Sequence, residues 1–162
     1  MVPVITIVGH SNSGKTTLVE KLIPELKRRG YRIGTIKHTH HGFSMDPKGK
    51  DTYRHRAAGA DTVLGASSGQ IALVKSVAET DLDSLLPYFQ DMDIVLAEGF
   101  KQEKKPKIEV FRSRIHQIPL FPEDDLLLAV VTDSPYSAKV PVFQFEDIQA
   151  ICDMIQKHSR IG

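Results

Sequence analysis

Residues 9–17 constrain this chain more than any other stretch. They read Gly9-His10-Ser11-Asn12-Ser13-Gly14-Lys15-Thr16-Thr17, directly after the β-branched run Val4-Ile5-Thr6-Ile7-Val8. Gly9 to Thr16 fits G-x-x-x-x-G-K-[ST] at every fixed position. Glycines let the backbone curl until successive N–H groups point inward at phosphate oxygens. A helix that follows adds the partial positive charge of its N-terminus. Lys15 is placed to reach the β- and γ-phosphates, and the Thr16 hydroxyl to ligand Mg²⁺. A chance match arises in on the order of one chain in a few hundred. The strand–turn–helix setting therefore decides for a nucleotide triphosphate over a fortuitous glycine turn.

Residues 4–8 have the near-continuous apolar character of a parallel strand covered on both faces. Residues 15–29 carry Leu18, Leu22, Ile23 and Leu26 at helical spacing, closed by Lys27, Arg28, Arg29 and the stop signal Gly30. Pro24 predicts a kink in that helix. Residues 31–36 read as a second strand, residues 38–50 as a polar loop, and residues 51–58 as a short helix. Two short apolar runs, 62–66 and 71–74, flank Ser67-Ser68-Gly69-Gln70 and predict a hairpin. Residues 81–89 read as helix; 93–97, 107–111 and 126–131 as strands. The chain closes on an amphipathic helix over 146–158, with Ile148, Ile151, Cys152 and Ile155 on one face. Alternating strands and helices predict an α/β fold of the P-loop NTPase type, a mostly parallel, doubly wound sheet with antiparallel edge strands. The hairpin and the 107–111 strand are the expected antiparallel additions.

A length of 162 residues suits one phosphate-binding domain spanning 1–162, able to bury roughly two-thirds of its unfolded surface. With 21 Lys and Arg against 20 Asp and Glu, the net charge is +1, which gives no reason to expect a nucleic-acid or membrane partner. The lone Cys152 allows no internal disulfide and suits a reducing compartment. No basic leader opens the chain, and no apolar run approaches the roughly 20 residues that span a bilayer. The expectation is a soluble, cytoplasmic protein.

A Mg²⁺–triphosphate site usually draws an acid from the C-terminal end of a neighbouring strand. Glu98 is the candidate, to hold a Mg²⁺-bound water or orient an attacking one; a carboxylate merely opening a loop is the alternative. Asp46 and Asp51 lie in or beside the 38–50 loop, where a switch segment or a second metal-binding carboxylate would sit. His38, His40 and His41 cluster there, followed by His55; a transition metal, an anionic ligand or partner, and a merely solvated loop are the three readings. His116 and His158 belong to no pattern. The guanine signature N-K-x-D is absent; Thr132-Asp133 ends a late strand, where a carboxylate can read guanine N–H groups, although Asp133-Ser134-Pro135 is equally a turn.

Several stretches, in order, resemble the molybdopterin-guanine dinucleotide biosynthesis protein B (MobB) family. They are residues 9–17, Ile36-Lys37-His38-Thr39-His40-His41-Gly42, residues 46–51 leading to Ala58-Gly59-Ala60, Glu98-Gly99-Phe100-Lys101, and residues 106–112. The resemblance implies a GTP-binding adapter with weak GTPase activity, using GTP and Mg²⁺, with Lys15 and Glu98 as the reacting-site residues. It further implies a homodimer acting late in molybdenum-cofactor synthesis beside the guanylyltransferase, with molybdopterin as a further candidate ligand. Arg112 is the arginine that the residues offer for charge stabilisation, so turnover should be slow. A small-metabolite kinase and a nickel-chaperone-type metal-handling GTPase are the competing readings. The first predicts acceptor-dependent ATP use; the second, metal binding by His38, His40 and His41.

Overall fold

The computed structural model describes every residue except Met1, His40, His41, 43–45, Glu79, Gln117 and Gly162. The chain divides into two compact units, one of Met1–His38 with Asp81–Gly162 and one of Thr39–Thr80.

The first unit is built on six strands: β1 (Val4–Val8), β2 (Ile33–Lys37), β5 (Ile94–Glu98), β6 (Lys107–Phe111), β7 (Leu127–Thr132) and β8 (Val142–Phe143). Their spatial order is β2-β5-β1-β6-β7-β8, and every pairing is parallel. Helices α1 (Lys15–Arg28) and α4 (Ile148–Ser159) cover one face. There Leu18, Leu22 and Leu26 of α1, and Ile151, Cys152 and Ile155 of α4, pack on Ile5, Ile7, Leu96 and Ile108. A short helix α3 (Leu82–Leu85) and the 3-10 turn Leu86–Phe89 bury Leu82 and Leu86 against Val4, Val95 and Ala97 on the opposite face. The helical reading of 81–89 changes to 3-10 geometry where Pro87 enters. Asp81 caps α3 by accepting the Ser84 amide at 2.9 Å.

One expectation is corrected by the fold, and one strand is added to it. Helix α1 runs unbroken through Pro24. That proline lies on the exposed side, where a carbonyl left without its usual N–H partner costs least. Strand β8 was not foreseen, being only two residues long. Strand β6, expected as an antiparallel addition, runs parallel between β1 and β7. Its alternation of charged and apolar residues imitates an edge strand, but both charges are buried and partnered. Lys107 donates to Asp124 at 2.6 Å, and Glu109 accepts the amides of Leu120 (2.5 Å) and Phe121 (3.0 Å). Burial pushes the Glu109 carboxyl above its ordinary range, and the two amides pull it back.

The second unit contains α2 (Asp51–Ala57) and the antiparallel pair β3 (Thr62–Ser67) and β4 (Gln70–Lys75). The hairpin predicted from two apolar runs forms a two-stranded sheet of its own. Leu64 faces Leu73 and Ala66 faces Ile71 across the strands. Leu64, Ile71 and Leu73 share one sheet face and are exposed.

Candidate functional site

The carboxyl ends of β1, β2, β5, β6 and β7 meet at one edge of the sheet, where parallel α/β folds bind ligands. The loop from Gly9 to Gly14 leaves β1 there and enters α1. Its path uses positive φ at Gly9 (140°), Asn12 (62°) and Gly14 (100°). A Cβ on Gly9 would lie 2.3 Å from the Val110 carbonyl oxygen, so the loop rests on the backbone of β6. Ser13 folds back with its amide 3.3 Å from the His10 carbonyl. Its hydroxyl is buried with no hydrogen-bond partner among the described residues. The first turn of α1 carries no acidic side chain, which leaves its amides to an anion.

The Lys15 ammonium donates to the carbonyls of Gly9 (3.3 Å) and His10 (2.6 Å). Burial lowers its pKa from the usual lysine value, Lys101 and Lys37 lower it further, and Glu98 opposes them. Thr16 donates its hydroxyl proton to Glu98, with oxygen–oxygen distances of 3.0 and 2.9 Å to the two carboxylate oxygens. The Glu98 side chain is 13% exposed. Strand register explains the meeting: Glu98 ends β5 opposite Ile7 of β1 and Lys37 of β2. Directly afterwards, Gly99 takes φ 96°, and a Cβ there would also lie 3.2 Å from His38 Cβ.

Arg112 follows β6 and braces the loop from beneath. Its Nε donates to the Ser13 carbonyl at 2.9 Å, its Nη1 reaches Asp133 at 3.3 Å, and its guanidinium lies 4.4 Å from the centre of the Phe145 ring. The side chain read from sequence as a charge-stabilising arginine is thus committed to holding loop backbone. Asp133 follows β7, receiving Arg112 on one oxygen and the Ser134 hydroxyl (3.1 Å) on the other. Thr132 is buried, and its hydroxyl oxygen accepts the Ser134 amide at 3.2 Å.

The fold thus brings Gly9, His10, Ser11, Asn12, Ser13, Gly14, Lys15, Thr16, Thr17 and Glu98 to one edge, with Asp133 joined to the loop through Arg112 and Thr132 ending β7 just before it. Asp51 opens α2 in the other unit, exposed and 3.5 Å from Arg54. Asp46, in the same unit, accepts the Thr52 hydroxyl at 2.8 Å. His38 sets its ring 5.0 Å from that of Phe100, while His40 and His41 lie outside the described residues. Among the described residues no group of three or more His, Cys, Asp or Glu is arranged to hold a metal ion.

Sequence reasoning missed Lys37, Lys101 and His116. His116 stacks on His10 with ring centres 3.5 Å apart. Burial, His116 and Lys101 together lower the His10 pKa. Lys37 and Lys101 lay inside stretches that carry the family resemblance but had no role of their own there, and His116 had no pattern at all; strand neighbours and a folded-back loop bring them to the phosphate loop. The oxygen pair Thr16–Glu98 beside Lys15 is the chemistry that a hard divalent cation and its phosphates require.

The model of the family described as "Molybdopterin guanine dinucleotide synthesis protein B" (MobB) matches residues 4–133. The chain is 40% identical over 158 residues to the molybdopterin-guanine dinucleotide biosynthesis adapter protein of Haemophilus influenzae, covering 96% of this chain and 88% of that protein. It is 37% identical over 161 residues to the adapter protein of the same name from Escherichia coli, covering 96% and 92%. Among solved structures, Bacillus subtilis MobB superposes with a TM-score of 0.77 at 27% identity, covering 96% of each chain. No helix among the described residues is long and apolar enough to cross a membrane.

Proposed function

The chain belongs to the molybdopterin guanine dinucleotide synthesis protein B family, and from that premise we propose that it is a GTP-binding adapter in the cytoplasm, acting in molybdenum-cofactor synthesis beside the guanylyltransferase that attaches GMP to molybdopterin. The observation that carries the reading is the contact between Thr16 and Glu98 beside Lys15, at the end of a loop whose glycine floor admits no side chain. In this proposal the loop amides and Lys15 hold the β- and γ-phosphates, and the Thr16 hydroxyl holds Mg²⁺. Glu98 supports the ion in this proposal. Bound Mg²⁺ would supply charge neutralisation at the β- and γ-phosphate oxygens.

Slow hydrolysis follows from the same residues. Arg112 is tied to Ser13, Asp133 and Phe145, so it is not a mobile finger over the γ-phosphate. Asp133, with Thr132 behind it, is the group we assign to guanine. An adapter needs a bound nucleotide more than it needs a fast reaction, and this site is built for holding. Homodimerisation belongs to the same proposal. A two-stranded sheet is marginal alone, and the exposed Leu64, Ile71 and Leu73 offer a second copy an apolar face.

Calorimetry with GTP and ATP, each with and without Mg²⁺, tests the proposal. GTP should bind more tightly than ATP, and Lys15→Ala should lose at least about 2 kcal/mol of binding. Unchanged affinity in Lys15→Ala would overturn it.

A further inference from the structure

Lys37 closes β2 and occupies no position of the phosphate-loop motif. Its ammonium nevertheless lies 3.4 Å from the Thr16 hydroxyl oxygen and 3.4 Å from Glu98 Oε1. Thr16 and Glu98 are themselves in contact at 2.9 and 3.0 Å. The three groups form a triangle of one cation and two oxygen-bearing side chains. An ammonium and a hard divalent ion seek the same surroundings, namely oxygen lone pairs and negative charge. We infer that Lys37 is a tethered counter-ion that competes with a divalent cation for the Thr16–Glu98 pair and so sets how strongly triphosphate binding depends on that cation. The inference rests on the nucleotide reading given above.

The two partners of the triangle differ in freedom. The Glu98 side chain is 13% exposed, while that of Lys37 is 63% exposed on a four-carbon stem. The ammonium can therefore leave the carboxylate without unpacking the core. Lys37 and Glu98 are also register partners in neighbouring parallel strands, so the backbone keeps the root of the ammonium's stem beside the carboxylate. Lys15 does not fill this role, because its ammonium is held by the carbonyls of Gly9 and His10.

A divalent ion bound by the same hydroxyl and carboxylate would lie a few ångströms from the ammonium, and like charges at that range repel. Lys37 must then swing away from the pair, which its exposed stem permits. Two effects follow from one side chain. Without divalent metal, Lys37 neutralises Glu98 and lends positive charge to the phosphates. With metal, it weakens the ion's hold.

The experiment titrates wild type, Lys37→Met, Lys37→Arg and the surface control Lys139→Met with a fluorescent N-methylanthraniloyl GTP, in EDTA and in MgCl₂. Mn²⁺ binding in the presence of GTP, read by electron paramagnetic resonance, reports the cation directly. Lys37→Met is expected to bind GTP about fivefold more weakly in EDTA, and to gain about fivefold more from Mg²⁺ than wild type does. Its apparent Mn²⁺ affinity should rise by a similar factor. Lys37→Arg, which keeps the charge, should stay near wild type, as should Lys139→Met. Normal wild-type binding with the same Mg²⁺ and Mn²⁺ dependence in Lys37→Met would overturn the inference and leave the nucleotide reading standing. An equal loss in both buffers would also overturn it, reducing Lys37 to a simple phosphate contact. Failure of wild type to bind GTP in either buffer would overturn both.

Discussion

Thr16 and Glu98, 82 residues apart in sequence, share a hydrogen bond in which one hydroxyl sits 2.9 and 3.0 Å from the two oxygens of one carboxylate. That contact joins the first turn of α1 to the end of β5. Glu98→Gln keeps the shape and one acceptor but removes the charge. The expected result is a fall of about tenfold or more in Mg²⁺-dependent GTP hydrolysis, with binding in EDTA little changed. Steady-state phosphate release and a parallel binding titration measure both. Undiminished hydrolysis would remove Glu98 from the reaction.

Asp133 has two roles to separate, because it holds Arg112 and is also the carboxylate assigned to guanine. If it reads the base, Asp133→Ala should weaken GTP by about tenfold or more while leaving ATP nearly unchanged. If it serves only to hold Arg112, both nucleotides should weaken together, as they should in Arg112→Ala. Competition binding with the two nucleotides decides between these outcomes.

Gly9 tolerates no substitution on steric grounds. An added Cβ would sit 2.3 Å from the Val110 carbonyl oxygen and 2.9 Å from Ser13 Oγ, at φ 140°. Gly9→Ala should cost about 2–4 kcal/mol of folding stability, read as a shift in urea midpoint. Gly59, also at positive φ but with nothing within 4 Å, provides the comparison. Gly59→Ala should cost about 1 kcal/mol. Equal losses at both positions would show that φ alone, and not the floor of β6, sets the requirement.

His10 carries an acid-sensitive contribution. Burial, His116 and Lys101 lower its pKa from 6.5. The unfolded chain therefore takes up this proton at higher pH than the folded chain does. The contribution is intact above about pH 6.5 and is lost as pH falls through that value toward the lowered folded pKa. Thermal melts from about pH 8 to 5 should show a shallower acid loss for His10→Gln than for wild type. Parallel profiles would mean that the stack with His116 does not respond to protons.

The exposed face of β3–β4 bears on assembly. Ile71 is 70% exposed and Leu64 is 54% exposed, on the same side of the sheet. Replacing Ile71 by Lys removes apolar area and adds like charges facing each other across a two-fold contact. Sedimentation should then show a dimer for wild type and a shift to monomer for Ile71→Lys, at least tenfold in dissociation constant. A wild-type monomer at micromolar concentration would refute the dimer.

Much of the candidate site was legible because its loop residues are contiguous and belong to one position-specific motif. Gly9, Gly14, Lys15 and Thr16 declare themselves within one loop, and Glu98 follows from the rule that acids sit at strand ends. Lys37 was not legible as part of the site, since only the β2–β5 register brings it to Glu98. Strand β6 was misread because burial of Lys107 and Glu109 depends on partners at Asp124, Leu120 and Phe121, none of which belongs to the strand. Arg112 was noticed as an arginine, but its work as a brace depends on Ser13, Asp133 and Phe145. His116 had no pattern at all until its loop folded back over His10.

The place of β1 in the sheet also has a bearing on time. The amide and hydroxyl of Thr6 both bond the carbonyl of Pro106, 100 residues further along the chain. The phosphate loop thus leaves the ribosome well before either strand that flanks β1. At about 5–20 residues per second, the roughly 100 intervening residues take on the order of 5–20 s to appear. Through that interval Gly9 has no carbonyl beneath it and Ser13 no guanidinium to hold its backbone. The nascent chain carries the complete motif but not the braced loop, which comes into being only when β6 pairs beside it.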